Sequence, residues 1–434
     1  MITGLRIKKI FTLFGDLVIF FFSFFVTIYF FNDFDKIPLL SSLITFSIVF
    51  ILWLIIYYVT ELYELGNFRK KFFLVKKFII AFLICLLFGV SILYFTESIL
   101  KFDDAKILIS IILISLVSTY VWRKFIIYFL SIPIMKRKVL LIGHSKIAEK
   151  LVSRIKPNPQ LGYQIMFWKS ETEAIERNVL DKIDLIVLPQ SLKQNLDNKS
   201  RVKEFLLLKK DIVSLSDLYE WVLNEVPLSE VDDVELLKDV KKFDNFYYKI
   251  DKIIEWIAGL LFSLILLPII LICAIAIFVV DGNPVFYVQK RVGKNEKIFD
   301  LFKFRTMKTD AEINGPQWSG EDDERSTKLG KFLRKTHLDE LPQLLNVLLG
   351  NLVIVGPRPE RPEFVEMLKK EIPYYRFRHF VKPGITGWAQ VNYKYGASVE
   401  ESYRKLQFDL YYLKYKCFTL DSLIILKTIK KFFT

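Results

Sequence analysis

Apolar residues gather in long, nearly uninterrupted blocks over the first third of this chain and then thin into the mixed pattern of folded aqueous domains. The blocks run from Phe11 to Phe31, Leu39 to Thr60, Phe78 to Thr96 and Ile107 to Val121, the last able to continue beyond Arg123. Each approaches the ~20 residues that cross a bilayer core, and none shows the polar face of a soluble helix. Residues 1–136 are therefore expected to form four transmembrane helices. The pattern then changes. Lys138-Val-Leu-Leu-Ile-Gly143-His-Ser-Lys-Ile-Ala148 reads as a buried strand, a tight turn and a helix, and Ile183-Asp-Leu-Ile-Val-Leu188 as a second strand of parallel type. Residues 137–235 are thus read as a small α/β domain. A charged connector, 236–252, leads into Trp256–Val280, 25 residues without a charged side chain. Pro268 stands near its centre, where it removes a helix hydrogen bond and bends the segment. Residues 281–434 lack linkers and repeats. They close on Asp421–Thr434, where Leu423, Ile424, Ile425, Ile429, Phe432 and Phe433 mingle with Lys427, Lys430 and Lys431. That pattern fits a helix at a membrane surface or one packed on the domain core, and the lysines favour the surface.

Charge orients these segments. Arg6, Lys8 and Lys9 precede the first block, Arg69, Lys70, Lys71, Lys76 and Lys77 separate the second from the third, and Arg123, Lys124, Lys136, Arg137 and Lys138 follow the fourth. The opposite loops, with Asp33, Asp35 and Lys36 and then Glu97, Lys101, Asp103, Asp104 and Lys106, carry no such excess. The positive-inside rule puts both ends of the four-helix block in the cytoplasm. No small-residue cleavage site follows the first block, so a signal peptide is not expected. Trp256–Val280 is basic on both flanks, and a fifth span would carry the rest of the chain across the membrane against that rule. Residues 253–280 are therefore expected to form a re-entrant hairpin that dips into one leaflet and returns.

Composition agrees. At 53% hydrophobic and 15% aromatic, the 434 residues are too apolar for a purely soluble protein. Much of the formal charge of +14 lies beside the apolar blocks, where it suits anionic headgroups and needs no nucleic acid. Cys85, Cys273 and Cys417 are too widely spaced for a disulfide framework or a zinc site.

With only His144, His337 and His379, and no Gly-x-Ser-x-Gly or phosphate-loop pattern, Ser–His acyl transfer and Walker-type hydrolysis fit poorly. Carboxylates remain. Asp339 and Glu340 are adjacent, and Pro342 and Gly350 bound an expected helix through 341–349. The pair would then lie at a helix N-terminus, where the dipole keeps carboxylates ionised and receives phosphate. Neighbours on a helix point in different directions, so one acid can attack phosphorus while the other holds Mg²⁺ or handles a proton. An Asp-Glu pair is also an ordinary helix cap. Its company argues for chemistry: Lys303, Arg305, Arg334, Arg358 and Arg361 supply positive charge for phosphate, and Gly356-Pro-Arg358-Pro is a stiff turn able to present a guanidinium.

Taken together, Arg291-Val-Gly, Phe302-Lys-Phe-Arg-Thr-Met307, Leu338-Asp-Glu-Leu-Pro-Gln343, Asn346-Val-Leu, Val355-Gly-Pro-Arg-Pro359 and Lys382-Pro-Gly-Ile-Thr-Gly-Trp-Ala-Gln-Val-Asn392 resemble the bacterial polyprenyl-phosphate sugar-1-phosphate transferases, the monotopic phosphoglycosyl transferases. The architecture is similar to the large members that start O-antigen, capsule or exopolysaccharide repeat units. The resemblance implies a membrane protein of α plus α/β class: a four-helix transmembrane block, a degenerate Rossmann-like α/β domain, and a mainly helical catalytic domain with a re-entrant membrane helix. It implies that a UDP-hexose gives its sugar 1-phosphate to undecaprenyl phosphate and releases UMP, with glucose or galactose favoured and an N-acetylated hexose as the alternative. Mg²⁺ is required, Mn²⁺ is its substitute, and NAD is not expected. By the family pattern Asp339 is the nucleophile that forms a covalent phospho-sugar, and Glu340 is its metal-associated partner. Lys303, Arg305, Arg334 and Arg358 fall where phosphates are met, and Asp409 at an acidic position near the site. The implied location is the bacterial inner membrane with the catalytic domain on its cytoplasmic face, and the N-terminal half is a candidate for homodimer contacts.

Two positions depart from the pattern. Leu267 replaces the Ser usual before the hairpin proline, so another group must satisfy the broken helix, and Asn351 replaces an Asp. Two rival functions fit parts of the sequence. A membrane-anchored nucleotide-sugar dehydratase or epimerase needs an intact glycine motif, yet Gly143 stands with Ser145 and Ala148 at the other two places, although Tyr248/Lys252 and Tyr412/Lys416 match a Tyr-x-x-x-Lys spacing. A dinucleotide site in the α/β domain is accordingly the weaker alternative to a structural or regulatory module. A non-catalytic scaffold would be favoured by loss of Asp339 or Glu340, and both are present.

Overall fold

The computed structural model describes residues 4–31, 39–60, 62–63, 71–100, 105–131, 136–173, 175–190, 192, 210–231, 246–308, 311, 323–393 and 398–432. The loop charges Asp33, Asp35, Lys36, Arg69, Lys70, Lys101, Asp103 and Asp104, and the connector up to residue 245, lie outside them. The chain divides into two compact units, Met1–Leu223 and Asn224–Thr434.

Four long helices open the first unit: α1 (Gly4–Phe31), α2 (Leu39–Val59), α3 (Lys71–Leu100) and α4 (Ala105–Ser131). Among the described residues, Phe11–Phe30, Ile109–Ile126 and, in the second unit, Ile253–Asp281 are long and apolar enough to cross a membrane, while Phe46–Val59 and Lys77–Gly89 are shorter apolar stretches. Phe20, Phe24, Phe50 and Trp53 are buried between the helices, with Phe20 meeting Trp53 edge-on at 5.4 Å. The outward residues, Phe11, Phe14, Phe22 and Val121 among them, are equally apolar, which suits a surface solvated by lipid.

Arg123 departs from its sequence reading. It does not flank the fourth helix but lies buried inside it, forking the Asp16 carboxylate of α1 at 2.8 and 2.6 Å. Tyr63 donates to the same carboxylate at 2.7 Å, and Arg123 Nε to the Leu62 carbonyl at 2.9 Å. Bidentate geometry with further partners is what allows two charges to be buried in an apolar bundle.

The α/β part of this unit is a parallel sheet, β1 (Arg137–Ile142), β2 (Tyr163–Lys169), β3 (Leu185–Leu188) and β4 (Asp211–Ser214), in the order β2-β1-β3-β4. α5 (Lys146–Ile155), capped by Ser145, and α7 (Leu215–Leu223) bury against it, with the short α6 (Arg177–Asp181) between β2 and β3. Gly143 ends β1 with φ +90°, and Trp168 covers that turn, donating to the Gly143 carbonyl at 2.8 Å and stacking on His144.

The α/β domain stops at Leu223, short of the expected residue 235. In the second unit Val226 and Leu228 enter the core, Val226 N donates to the Gln407 carbonyl at 3.0 Å, and Arg404 pairs with buried Glu225 at 3.0 Å. Asn224, Glu225 and Val226 are held by Tyr411, Arg404 and Gln407, far along the chain, so no local pattern reveals their allegiance.

The long apolar segment is one helix, α8 (Phe246–Asp281), with Pro268 inside it. Two segments separated by a break were expected. Proline removes only its own hydrogen bond, and the bonds on either side continue the helix. Both halves pack on this unit. Before Pro268, Gly259 abuts Val347 and Trp256 Nε1 donates to the Leu348 carbonyl at 3.2 Å; after it, Cys273 and Ile277 bury with Phe304 and Leu333. Leu264, Ile265, Leu271, Ile272 and Ile275 remain exposed.

β5 (Phe286–Val292) and β6 (Ile298–Phe304) form an antiparallel hairpin, followed by α9 (Lys328–Lys335), α10 (Gln343–Leu348), β7 (Val353–Val355), α11 (Pro362–Glu371), β8 (Gly384–Thr386) and α12 (Trp388–Asn392). The chain closes with α13 (Val399–Tyr415), which carries a complete capping box at Ser398 and Glu401, and α14 (Phe418–Phe432). α14 packs on the core through Leu420 and Ile424, while Phe418 and Ile429 stay exposed.

Candidate active site

Close backbone approaches assemble the site. A Cβ on Gly330 would lie 2.0 Å from the Thr306 carbonyl oxygen, so only glycine lets α9 rest on the chain leaving β6. Thr327 caps α9 by accepting from Gly330 N at 2.8 Å, and donates to the Asp281 carboxylate at the end of α8 at 2.8 Å. After α9, His337 takes φ +53° and starts a 3₁₀ turn, Leu338–Glu340. The acid pair lies in this turn, not in the first turn of the following helix as expected: Pro342 caps α10, which begins at Gln343, and Gly350 ends it with φ +76°. Asn346 of α10 accepts from Phe302 N at 3.0 Å and donates to the Asp300 carbonyl at 2.7 Å, tying the acid turn to the strand that bears Lys303. β7 and β8 pair in parallel so closely that a Cβ on Gly384 would meet Gly356 N at 2.1 Å; this contact fixes the turn that presents Arg358.

The two carboxylates differ in environment. Glu340 pairs with Lys303 Nζ at 3.0 Å and with both terminal nitrogens of Arg358. Burial opposes its charge, but Arg358 and Lys303 outweigh it and hold the carboxyl well below the ordinary range. Asp339 is also buried. Burial and then the neighbouring Glu340 charge push it up to about 6, against the pull of Lys303, Arg358 and Arg334. One acid is therefore a fixed, neutralised anion and the other a desolvated carboxylate with a raised proton affinity.

The other expected site residues separate. Arg334 donates to Ser326 Oγ at 2.8 Å and adds positive charge near Asp339. Arg305 does not join the phosphate-facing cations: it is buried and donates to the carbonyls of Asp281, Gly282 and Asn283, closing the C-terminal end of α8, whose last carbonyls otherwise lack partners. Arg361 faces Glu363 at 3.7 Å and the Phe364 ring at the start of α11. Tyr412, of the Tyr-x-x-x-Lys match, is structural, its hydroxyl held by the Val355 carbonyl and Asp421.

A cavity of about 290 Å³ opens on Glu340. One part of its wall is apolar, from Phe262 and Leu266 of α8 and Ile425 and Ile429 of α14; another is charged, from Arg358, Glu360, Arg378, Lys405 and Asp409. Asp409 thus lines the same cavity as Glu340. Sequence reasoning missed Arg378, which lies 3.0 Å from Asp409 and donates to the Arg358 carbonyl at 2.8 Å, and also Lys405 and Glu360. Lys405 had a signal, since it stands four residues before Asp409 on the same helix face.

Among the described residues no group of three or more His, Cys, Asp or Glu is gathered for a metal. The donor set is the adjacent carboxylates of Asp339 and Glu340, which fits Mg²⁺ in its usual manner of using one or two protein carboxylates and taking the rest from water and substrate phosphates.

Known proteins resemble this chain in sequence. The sequence pattern of the family described as bacterial sugar transferase matches residues 246–434. The chain is 43% identical over 167 residues to the UDP-N-acetylgalactosamine-undecaprenyl-phosphate N-acetylgalactosaminephosphotransferase of Aeromonas hydrophila, covering 38% of this chain and 40% of that protein. It is 31% identical over 340 residues to the undecaprenyl-phosphate glucose phosphotransferase of Komagataeibacter xylinus, covering 70% of this chain and 61% of that one. It is also 38% identical over 172 residues to the exopolysaccharide production protein PSS of Rhizobium leguminosarum bv. phaseoli, covering 38% of this chain and 86% of that protein. The matched part thus spans less than two thirds of the first two relatives and 86% of the third; the chain belongs to the bacterial sugar transferase family.

Proposed function

We propose that this protein transfers hexose 1-phosphate from a UDP-sugar to undecaprenyl phosphate, releasing UMP and starting a polysaccharide repeat unit. The observation that carries the reading is the asymmetry of the acid turn, with Glu340 clamped by two cations and Asp339 desolvated beside it. In the first half-reaction an Asp339 oxygen attacks the phosphorus that bears the sugar. The bond from that phosphorus to the bridging oxygen breaks, and UMP leaves with the electron pair. In the second half an oxygen of the lipid phosphate attacks the same phosphorus, the bond to Asp339 breaks, and the carboxylate is restored. Lys303, Arg334 and Arg358 supply positive charge where phosphoryl oxygens gather. Asp339 and Glu340 would hold Mg²⁺, or Mn²⁺ in its place, which when bound adds neutralisation of the diphosphate charge.

The cavity supports a lipid acceptor, because its apolar wall is built from the same α8 and α14 whose outer residues are exposed and apolar. That both halves of α8 pack on this unit supports a continuous helix, bent at Pro268, that stays with one leaflet over one that departs across the bilayer. The catalytic unit is then placed at the cytoplasmic face of the inner membrane. The favoured donors are UDP-glucose and UDP-galactose, with an N-acetylated hexose as the alternative, and relatives named for glucose and for N-acetylgalactosamine support each side. UMP release from each UDP-sugar in turn, in nanodiscs with undecaprenyl phosphate and Mg²⁺, tests the reading. Lipid-dependent release with one donor, lost in Asp339→Asn, is expected; release unchanged in Asp339→Asn would sink the covalent mechanism.

A further inference from the structure

Asp409 lies in the wall of the cavity and is 1% exposed, yet its Oδ2 accepts no hydrogen bond among the described residues. Arg378 Nη2 comes within 3.0 Å of it but off the line of a bond, since the guanidinium is aimed at the Tyr375 hydroxyl (2.6 Å) and the Arg358 carbonyl (2.8 Å). Three charged groups bear on Asp409: Arg378 from the 375–380 turn, Glu360 from the loop before α11, and Lys405 from its own helix. A buried carboxylate oxygen without a donor is costly, and such a site calls for a ligand that brings one.

We propose that the missing donor is the acceptor phosphate itself, and that Asp409 takes its proton as the phosphate attacks the aspartyl phospho-sugar. The inference rests on the transfer reaction proposed above. The apolar wall of the cavity admits a lipid chain, so the head group that follows it arrives beside Arg358, Lys405 and Asp409. A phosphate monoester holds its last proton with a pKa near 6. Two anions side by side share one proton instead of both ionising. Burial, opposed by Arg378 and Lys405 and reinforced by Glu360, pushes Asp409 up to about 6, where the two partners are matched. As the lone pair of the phosphate oxygen closes on phosphorus, its proton passes to Asp409 Oδ2, and the bond to Asp339 breaks with its electron pair returning to that carboxylate. The diphosphate product departs and Asp409 loses the proton to water.

The test uses the full chain in nanodiscs with Asp409→Asn and Asp409→Glu. Exchange of labelled UMP into UDP-sugar without lipid reads the first half-reaction, and lipid-linked sugar formation reads both. Asp409→Asn should exchange near the wild-type rate while losing turnover about 10²-fold, the usual worth of a positioned base, and Asp409→Glu should recover much of the turnover. Loss of exchange together with turnover in Asp409→Asn, or turnover left intact, overturns the assignment. Failure of the wild-type protein to exchange would instead strike the covalent reading beneath it.

Discussion

Replacing Arg358 by Ala removes one of the two cations that neutralise Glu340. Its side chain is 28% exposed and that of Glu340 is 13% exposed, so the contact is largely shielded from water. A hydrogen bond to a charged group is worth ~1.5–3 kcal/mol, and with Lys303 still in place at 3.0 Å a loss of about 2 kcal/mol is the reasonable figure. If that geometry persists in the transition state, turnover falls about 30-fold. The same guanidinium also draws the Asp339 carboxyl down, so its removal raises the proton affinity of Asp339 further. Asp339 must be ionised to attack. Activity should therefore fall as pH drops through about 6 in the wild type, and the acid limb should move to higher pH in Arg358→Ala. Arg358→Lys keeps the charge but loses the fork, so its turnover should fall while the limb moves less. The assay is UMP release across pH 5 to 8, with thermal unfolding to confirm that the variants are folded. Wild-type turnover and an unmoved acid limb in Arg358→Ala would refute the coupling.

Other outcomes follow from the same geometry. Gly330→Ala should destabilise the catalytic unit by several kcal/mol, because a Cβ 2.0 Å from the Thr306 carbonyl oxygen forces backbone to move; a melting temperature equal to wild type would contradict the packing. Asp16→Asn or Arg123→Leu alone should cost about 3–5 kcal/mol by leaving a charge uncompensated, whereas Asp16→Leu with Arg123→Leu should recover much of it, as read by unfolding in detergent. Chelation with EDTA should abolish UMP release, and added Mg²⁺ should restore it; undiminished release after exhaustive chelation would remove the metal from the scheme.

The helices α1 to α4 and α8 were legible because an apolar run of bilayer length needs no partner to identify it, and β1 and β3 because buried parallel strands read as continuous aliphatic runs. The acid pair and its cations Lys303 and Arg358 were legible as a composition of charges that a surface cap does not require. Arg305 was misread since a guanidinium that closes a helix end is indistinguishable in sequence from one that binds phosphate, and only the carbonyls of 281–283 reveal the difference. Arg123 was misread because its partner Asp16 is 107 residues away.

The chemistry available and the solvent each segment prefers are legible residue by residue, because side-chain type sets proton affinity and hydrophobicity before any folding occurs. Folding alone settles which of the two adjacent carboxylates is neutralised and which is desolvated, and that Arg378 is the cation beside Asp409. Those depend on Coulomb and desolvation effects that change over a few ångströms, between elements whose approach is set by Gly330, Gly356 and Gly384. Neighbours in sequence, Asp339 and Glu340 acquire opposite shifts because the groups that surround them come from β6, the Arg358 loop and α9, which only the folded chain brings together.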